Sequence, residues 1–301
     1  MWYNWYIMEM IYSPTPLNEA KYVQVSRNYY AVHDEWKQMS EEQRHVELCR
    51  CVSKRRSNLI FTGLSACAIL GIPRLDPFEM RPHVITDKIK GTDLICWRRG
   101  KLDPNSKIVD GMRVASPVRA VCDLAKYDTL ESLLVSINHC LCKKLFTKKQ
   151  ILAEIASRKG MRWKNSLLKV LKHATEKCES PLETKAWLAI HRAGFALPKQ
   201  QENIRSTEKR NALLGRVDMF WEVRKRKIIL ELDGKIKYIN QDVLFDEKNR
   251  EDSLRENKYD VIRATWADVE NGTLIKKLEK LAIPKRRYRK MIILKAAAQI
   301  L

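Results

Sequence analysis

The chain of 301 residues carries 57 Lys and Arg against 36 Asp and Glu, a formal charge of +21 at pH 7. A hydrophobic fraction of 45% with only 10 Gly and 10 Pro excludes collagen-like, low-complexity and wholly disordered classes. The length suits about two domains, and the charge points to a polyanionic partner, nucleic acid first and an anionic membrane second.

The opening MWYNWYIMEMIY is apolar and aromatic but lacks a basic n-region and an A-x-A site, so it does not read as a signal peptide; Met8 and Met10 are alternative starts. Residues 21–33 have the β-branched and aromatic content of one or two short strands. Ser40, followed by Glu41, Glu42 and Gln43, opens a helix with capping-box character that runs to about Arg56. LSACAIL predicts a short helix ending at Gly71 and Pro73. HVITD, DLICWRR and KIVDGMRVAS read as strands between residues 82 and 115, with an Asp110-Gly111 turn. Ser116-Pro117 starts another helix, and helical periodicity continues to Lys177. Cys49 and Cys51, like Cys140 and Cys142, are C-x-C pairs on expected helices, where a two-residue offset points the thiols apart. No C-x-x-C or H-x-x-x-H occurs, so zinc is not expected, and the eight cysteines read as idle thiols in a reducing bacterial cytoplasm.

A different rhythm begins at Ser180-Pro181-Leu182-Glu183, an N-cap, a proline at N1 and a glutamate at N3, opening a helix that closes at Gly194. KQQENI reads as a strand, 205–214 as a polar turn, and GRVDMFWEV as a half-buried strand with Val217, Met219, Trp221 and Val223 on one face. Arg224 to Lys227 form the next turn, IILELDG is a strand, LFDEKNREDSLREN a charged helix, and YDVIRATW the last strand. The order α, β-β-β, α, β predicts a mixed α/β module with a central sheet. The final MIILKAAAQIL is too short to span a bilayer, no other run reaches about 18 apolar residues, and no membrane partner is expected.

Strand parity isolates a set of acids. Ile229, Glu231 and Asp233 share one face of IILELDG, beside a strand that carries Asp218. Converging carboxylates of this kind suit Mg²⁺ or Mn²⁺, with oxygens of Asp218 and Glu231 about 4 to 5 Å apart on a shared ion; the alternative is ordinary pairing with nearby Arg or Lys. Trp97, Trp187, Trp221 and Trp266 sit in regular patterns and are expected in the core.

GRVDMFW, IILELDGKIKY and EKNREDSLRENKYDVIRATWADV closely resemble the endonuclease domains related to very-short-patch repair enzymes, in the PD-(D/E)XK superfamily. SPLETKAWLAIHRAGFALPKQQ resembles the first helix and strand of that domain, so the similarity covers about residues 180–270. Upstream, LSACAILGIP, HVITD and DGMRVASPVRAVCDLAK are similar to AbiEi-type abortive-infection antitoxins, with a shortened winged-helix segment. The resemblance implies a fold that is α/β (mixed α+β), with a C-terminal restriction-endonuclease-like αβββαβ core and a separate α+β N-terminal domain. The expected divisions are a winged-helix remnant over 1–39, an antitoxin-like domain over 40–178, a nuclease-like domain over 179–282 and a basic extension over 283–301.

It further implies a metal-dependent DNA endonuclease in phage defence or a mobile element. Asp218 and Glu231, with the Leu232 carbonyl, would hold Mg²⁺ or Mn²⁺. The lysine expected two positions after the acid is Asp233 here, so either Lys235 or Lys237 reaches the phosphate, Lys237 being favoured, or Asp233 supports a second metal. Glu183 matches an acid on the first helix but is also a capping-box glutamate; Gln200 and Gln201 either orient the site or merely sit in a strand. Lys235, Arg250 and Arg263 are candidates for the phosphate backbone. The alternative is a non-catalytic DNA-binding regulator or antitoxin on a nuclease fold, partnered by a cognate toxin from a neighbouring gene.

Overall fold

A computed structural model describes residues 10–56, 58–86, 95–158, 160–206, 212–224, 226–234 and 254–285. The described residues are mixed α and β with three sheets, and the chain divides into two compact units, Met1–Ala174 and Thr175–Leu301, close to the expected 178/179 boundary. Among the described residues no helix is long and apolar enough to cross a membrane.

In the first unit, β1 (Ile11–Tyr12), β2 (Tyr22–Ser26) and β3 (Tyr29–Val32) form an antiparallel sheet in the order β1-β3-β2. Met10, Tyr29 and Ala31 pack with Cys51 of α2 (Glu41–Arg55), so residues before 40 share a core with the next segment. Between them lies α1 (His33–Gln38). The Ser40 capping box forms as its sequence implies: Ser40 Oγ accepts from the Gln43 amide, and the Gln43 side chain accepts from the Ser40 amide.

A five-stranded mixed sheet follows, in the order β6-β5-β4-β8-β7, from β4 (Ile60–Phe61), β5 (His83–Thr86), β6 (Cys96–Arg99), β7 (Lys107–Val109) and β8 (Met112–Val114). Asp110 and Gly111, at φ 46° and 74°, make the tight β7–β8 turn that their sequence announces. Helices α3 (Gly63–Ile69), α4 (Pro117–Leu124), α5 (Leu130–Cys142), α6 (Lys148–Ser157) and α7 (Lys164–Leu171) complete the unit. The helical periodicity expected after Ser116 is realised as four helices, α4 to α7, with Thr147 and Gln150 restarting the chain through a second capping box.

One polar knot lies inside this unit. Asp123 is 1% exposed and accepts from Thr62 Oγ1 at 2.6 Å, Arg119 Nε at 3.0 Å and an Arg158 guanidinium nitrogen at 2.5 Å, with Arg98 at 3.4 Å. Burial alone would raise this carboxyl, but the three arginines hold it below the usual carboxylate range. All eight cysteines are free thiols; burial pushes those of Cys49 and Cys51 up to about 12, so both stay protonated.

The second unit opens with α8 (Pro181–Arg192) and a four-stranded sheet in the order β12-β11-β10-β9. Its strands are β9 (Lys199–Arg205), β10 (Leu213–Val223), β11 (Arg226–Asp233) and β12 (Tyr259–Thr265), followed by α9 (Trp266–Glu270) and α10 (Thr273–Lys280). Strands β9, β10 and β11 run antiparallel in turn, and β12 lies parallel to β11.

Several sequence expectations shift here. Val223 pairs with Arg226, so Arg226 and Lys227 already belong to β11 and the basic turn is shorter than four residues, with Arg224 at φ 46°. β10 is covered on both faces rather than half-buried. Met219 and Trp221 join Leu182, Ala186 and Ile190 of α8 with Leu274 and Leu278 of α10, whereas Val217 and Phe220 join Ile229 and Tyr259 on the other side. Trp221 is in the core as expected, its indole N–H donating to the Ala196 carbonyl at 2.8 Å, but Trp266 is 38% exposed beneath the Lys185 ammonium. Ile283 is 4% exposed in the core of this unit and Lys285 bridges Phe195, so the module continues past the expected limit at 282.

Candidate active site

The β10–β11 ladder runs from Val223↔Arg226 to Met219↔Leu230. β11 continues beside β12 as far as Asp233↔Thr265. Beyond Leu230, the Leu232 amide is met by a side chain: Asp218 Oδ2 accepts from it at 2.9 Å. A carboxylate has replaced a backbone carbonyl as the strand's partner, and this fixes Asp218 at the end of the sheet. This contact engages the Leu232 amide, whereas the resemblance implied the Leu232 carbonyl as a metal ligand.

Glu183 meets Asp218 through one amide. Gln201 Nε2 donates to Glu183 Oε2 at 2.9 Å and to Asp218 Oδ1 at 3.4 Å. Gln201 reaches both from an unusual backbone, φ 53° in the middle of β9, a left-handed conformation that a non-glycine residue adopts at a cost of about 1–3 kcal/mol. Its neighbour Gln200 is 8% exposed and donates instead to Cys178 Sγ at 3.0 Å, so of the two glutamines it is Gln201 that touches the carboxylates.

The Ser180 cap forms, with Ser180 Oγ accepting from the Glu183 amide at 3.1 Å, but the reciprocal arm does not close the box. Glu183 Oε2 accepts from the Glu179 amide at 3.0 Å, one residue before the cap. Glu183 is 5% exposed, and burial, with the nearby negative charge of Asp218, raises its carboxyl above the usual range against the pull of its hydrogen bonds. None of the groups that chiefly shift it is a cation.

Glu231 and Asp233 lie as parity requires, on the Ile229 side of β11, while Ile228, Leu230 and Leu232 face the core beneath α8. Glu231 stands in register with Arg263 on β12, and Arg263 reaches Asp233 at 3.5 Å. Arg263 is itself steadied by Lys277, whose Nζ donates to its carbonyl at 2.9 Å. Asp233 is therefore paired with an arginine. Lys235, Lys237 and Arg250 lie outside the described residues.

The carboxyl chemistry fits a hard divalent cation: a buried glutamate of raised pKa and an adjacent aspartate, held by one amide, are relieved by positive charge between them. No three acids of this unit have ligand atoms all within 4.8 Å of one another among the described residues. The set that does is Glu79, His83 and Cys96 of the first unit. Sequence spacing does not flag that trio, because Glu79 and His83 are four apart on non-helical chain and Cys96 comes from another strand. No family model, curated protein or solved structure matches the chain.

Proposed function

We propose that the second unit is a metal-dependent DNA endonuclease with a restriction-endonuclease-like αβββαβ core, hydrolysing phosphodiester bonds in phage defence or a mobile element. The observation that carries this reading is the Glu183–Gln201–Asp218 constellation where β10 leaves β11, with Glu231 next along that strand. A Mg²⁺ or Mn²⁺ ion held by Asp218 and Glu231 would neutralise phosphate charge and make a bound water more acidic. The chain's own residues do the positioning: the Leu232 amide and Gln201 fix the two oxygens of Asp218, and Arg263 supplies positive charge beside Glu231 for the phosphate backbone. The charge of +21 favours DNA as the polyanion. Purified protein should nick or linearise plasmid DNA with Mg²⁺ or Mn²⁺. If cleavage is absent, or survives both Asp218→Ala and Glu231→Ala, the proposal fails.

A second reading rests on Asp233. An aspartate paired with Arg263 stands where an active superfamily member would carry lysine, which favours a DNA-binding regulator or antitoxin on a nuclease fold, partnered by a toxin from a neighbouring gene. Metal-independent operator binding without cleavage would distinguish it.

A further inference from the structure

We propose that the first unit holds a second metal site, for a zinc-type divalent cation, formed by Glu79 Oε2, His83 Nε2 and the Cys96 thiolate. The proposal is independent of the nuclease reading and concerns a different unit.

Ligand atoms of these three side chains lie within 4.8 Å of one another. On a tetrahedral zinc, bonds of about 2.0–2.3 Å place neighbouring ligand atoms roughly 3.2–3.8 Å apart, so closing on the ion takes side-chain shifts on the order of 1 Å. The donor types also discriminate. Imidazole, thiolate and one carboxylate suit zinc and its borderline neighbours, whereas Mg²⁺ and Ca²⁺ prefer oxygen alone.

The site is held in place from behind. His45 bonds the Glu79 carbonyl through Nδ1 at 2.7 Å and Ser65 Oγ through Nε2 at 2.8 Å, and Ser65 Oγ accepts from the His83 amide at 2.7 Å. Two ligand-bearing backbones are thus tied to one buried serine–histidine pair, the kind of support that orients ligands. His83 is fully buried, with Nε2 on Glu79 Oε2 at 3.1 Å and Nδ1 turned towards Gly63. Arg81 pairs with the other oxygen of Glu79, leaving Oε2 to the ion. The Tyr127 hydroxyl lies 3.5 Å from Cys96 Sγ, and Tyr127 is 36% exposed, which gives the cation a route from solvent. Three protein ligands leave a fourth position for water.

Binding would exchange the Cys96 thiol proton for the metal and release it to solvent. The probes are Zn²⁺, titrated against a chromophoric chelator, and Co²⁺, whose thiolate complex absorbs in the near ultraviolet. The intact chain should bind Co²⁺ with a thiolate charge-transfer band. Cys96→Ser should abolish the band and weaken Zn²⁺ at least about 100-fold, and Glu79→Gln should weaken Zn²⁺ with the band retained. Cys142→Ser should leave both readouts unchanged. Far-UV circular dichroism checks that the variants fold. Absence of the band in the intact chain, or its survival in Cys96→Ser, overturns the proposal whatever the outcome of the plasmid assay.

Discussion

Asp218 offers a test in which fold and function separate. Replacing it with alanine removes the acceptor of the Leu232 amide, which Oδ2 holds at 2.9 Å, and one of the two acceptors of Gln201. A buried amide left without a partner costs about 1–3 kcal/mol, so Asp218→Ala should lower stability by that amount, read from the urea midpoint. Asp218→Asn keeps the shape: its carbonyl can accept from Leu232, at the expense of Gln201, whose donor would then face another donor. Its stability should stay within about 1 kcal/mol of the parent. Cleavage should nevertheless fall on the order of a thousandfold in both variants, because removing a charged group that acts in the transition state costs about 3–4 kcal/mol. Plasmid cleavage under single-turnover conditions, beside urea melts, reads both quantities. If Asp218→Asn keeps more than a tenth of the activity, the carboxylate does not serve the chemistry. If Asp218→Ala is as stable as the parent, its amide contact does not hold the strand ends.

Asp123→Ala should destabilise the first unit by about 3–5 kcal/mol in urea, since it leaves three arginines around a buried void; loss below about 1 kcal/mol would refute the knot's role. Because the folded carboxyl is held low, its stabilisation is present at neutral pH, declines as pH falls below the unfolded value near 3.8 and is gone once pH has passed the lower folded value; the parent should therefore show more acid sensitivity in that range than the variant. His45 works at higher pH: burial lowers it to about 4 from 6.5, so the folded state stays neutral while the unfolded chain takes up a proton. Thermal stability should drop between about pH 6.5 and 4, and His45→Gln should flatten that slope. Affinity for plasmid fragments should fall steeply with salt, about 10³-fold or more between 50 and 200 mM for six or more phosphate contacts; a flat dependence by fluorescence anisotropy would remove DNA as the partner of the basic surface.

Local chemistry was legible where neighbours in sequence decide it. Ser40 with Gln43, Asp110-Gly111 and Ser180-Pro181 fix their caps and turn within a few residues, and the alternation of Ile229, Glu231 and Asp233 carries straight into the sheet. What failed depended on distant partners. The reciprocal arm of Glu183 settles on the Glu179 amide and on Gln201 of β9 instead of the Ser180 amide, and the alternation of β10 gave way because both faces of its sheet are covered. The metal-binding geometry of Glu79, His83 and Cys96 has no regular spacing, since a loop and two strands bring it together. The arginines on Asp123 come from β6, α4 and the end of α6, and no sequence period links them.

Gln201 has a practical consequence. A left-handed φ of 53° is one that glycine adopts freely, so selection of variants for thermostability alone would be expected to enrich Gln201→Gly. Such a library would exchange a strained residue for a relaxed one and lose the amide joining Glu183 to Asp218 in the same step. Stabilising campaigns on this scaffold therefore need a functional counter-screen at this position, because a left-handed backbone and the carboxylate clasp belong to the same residue.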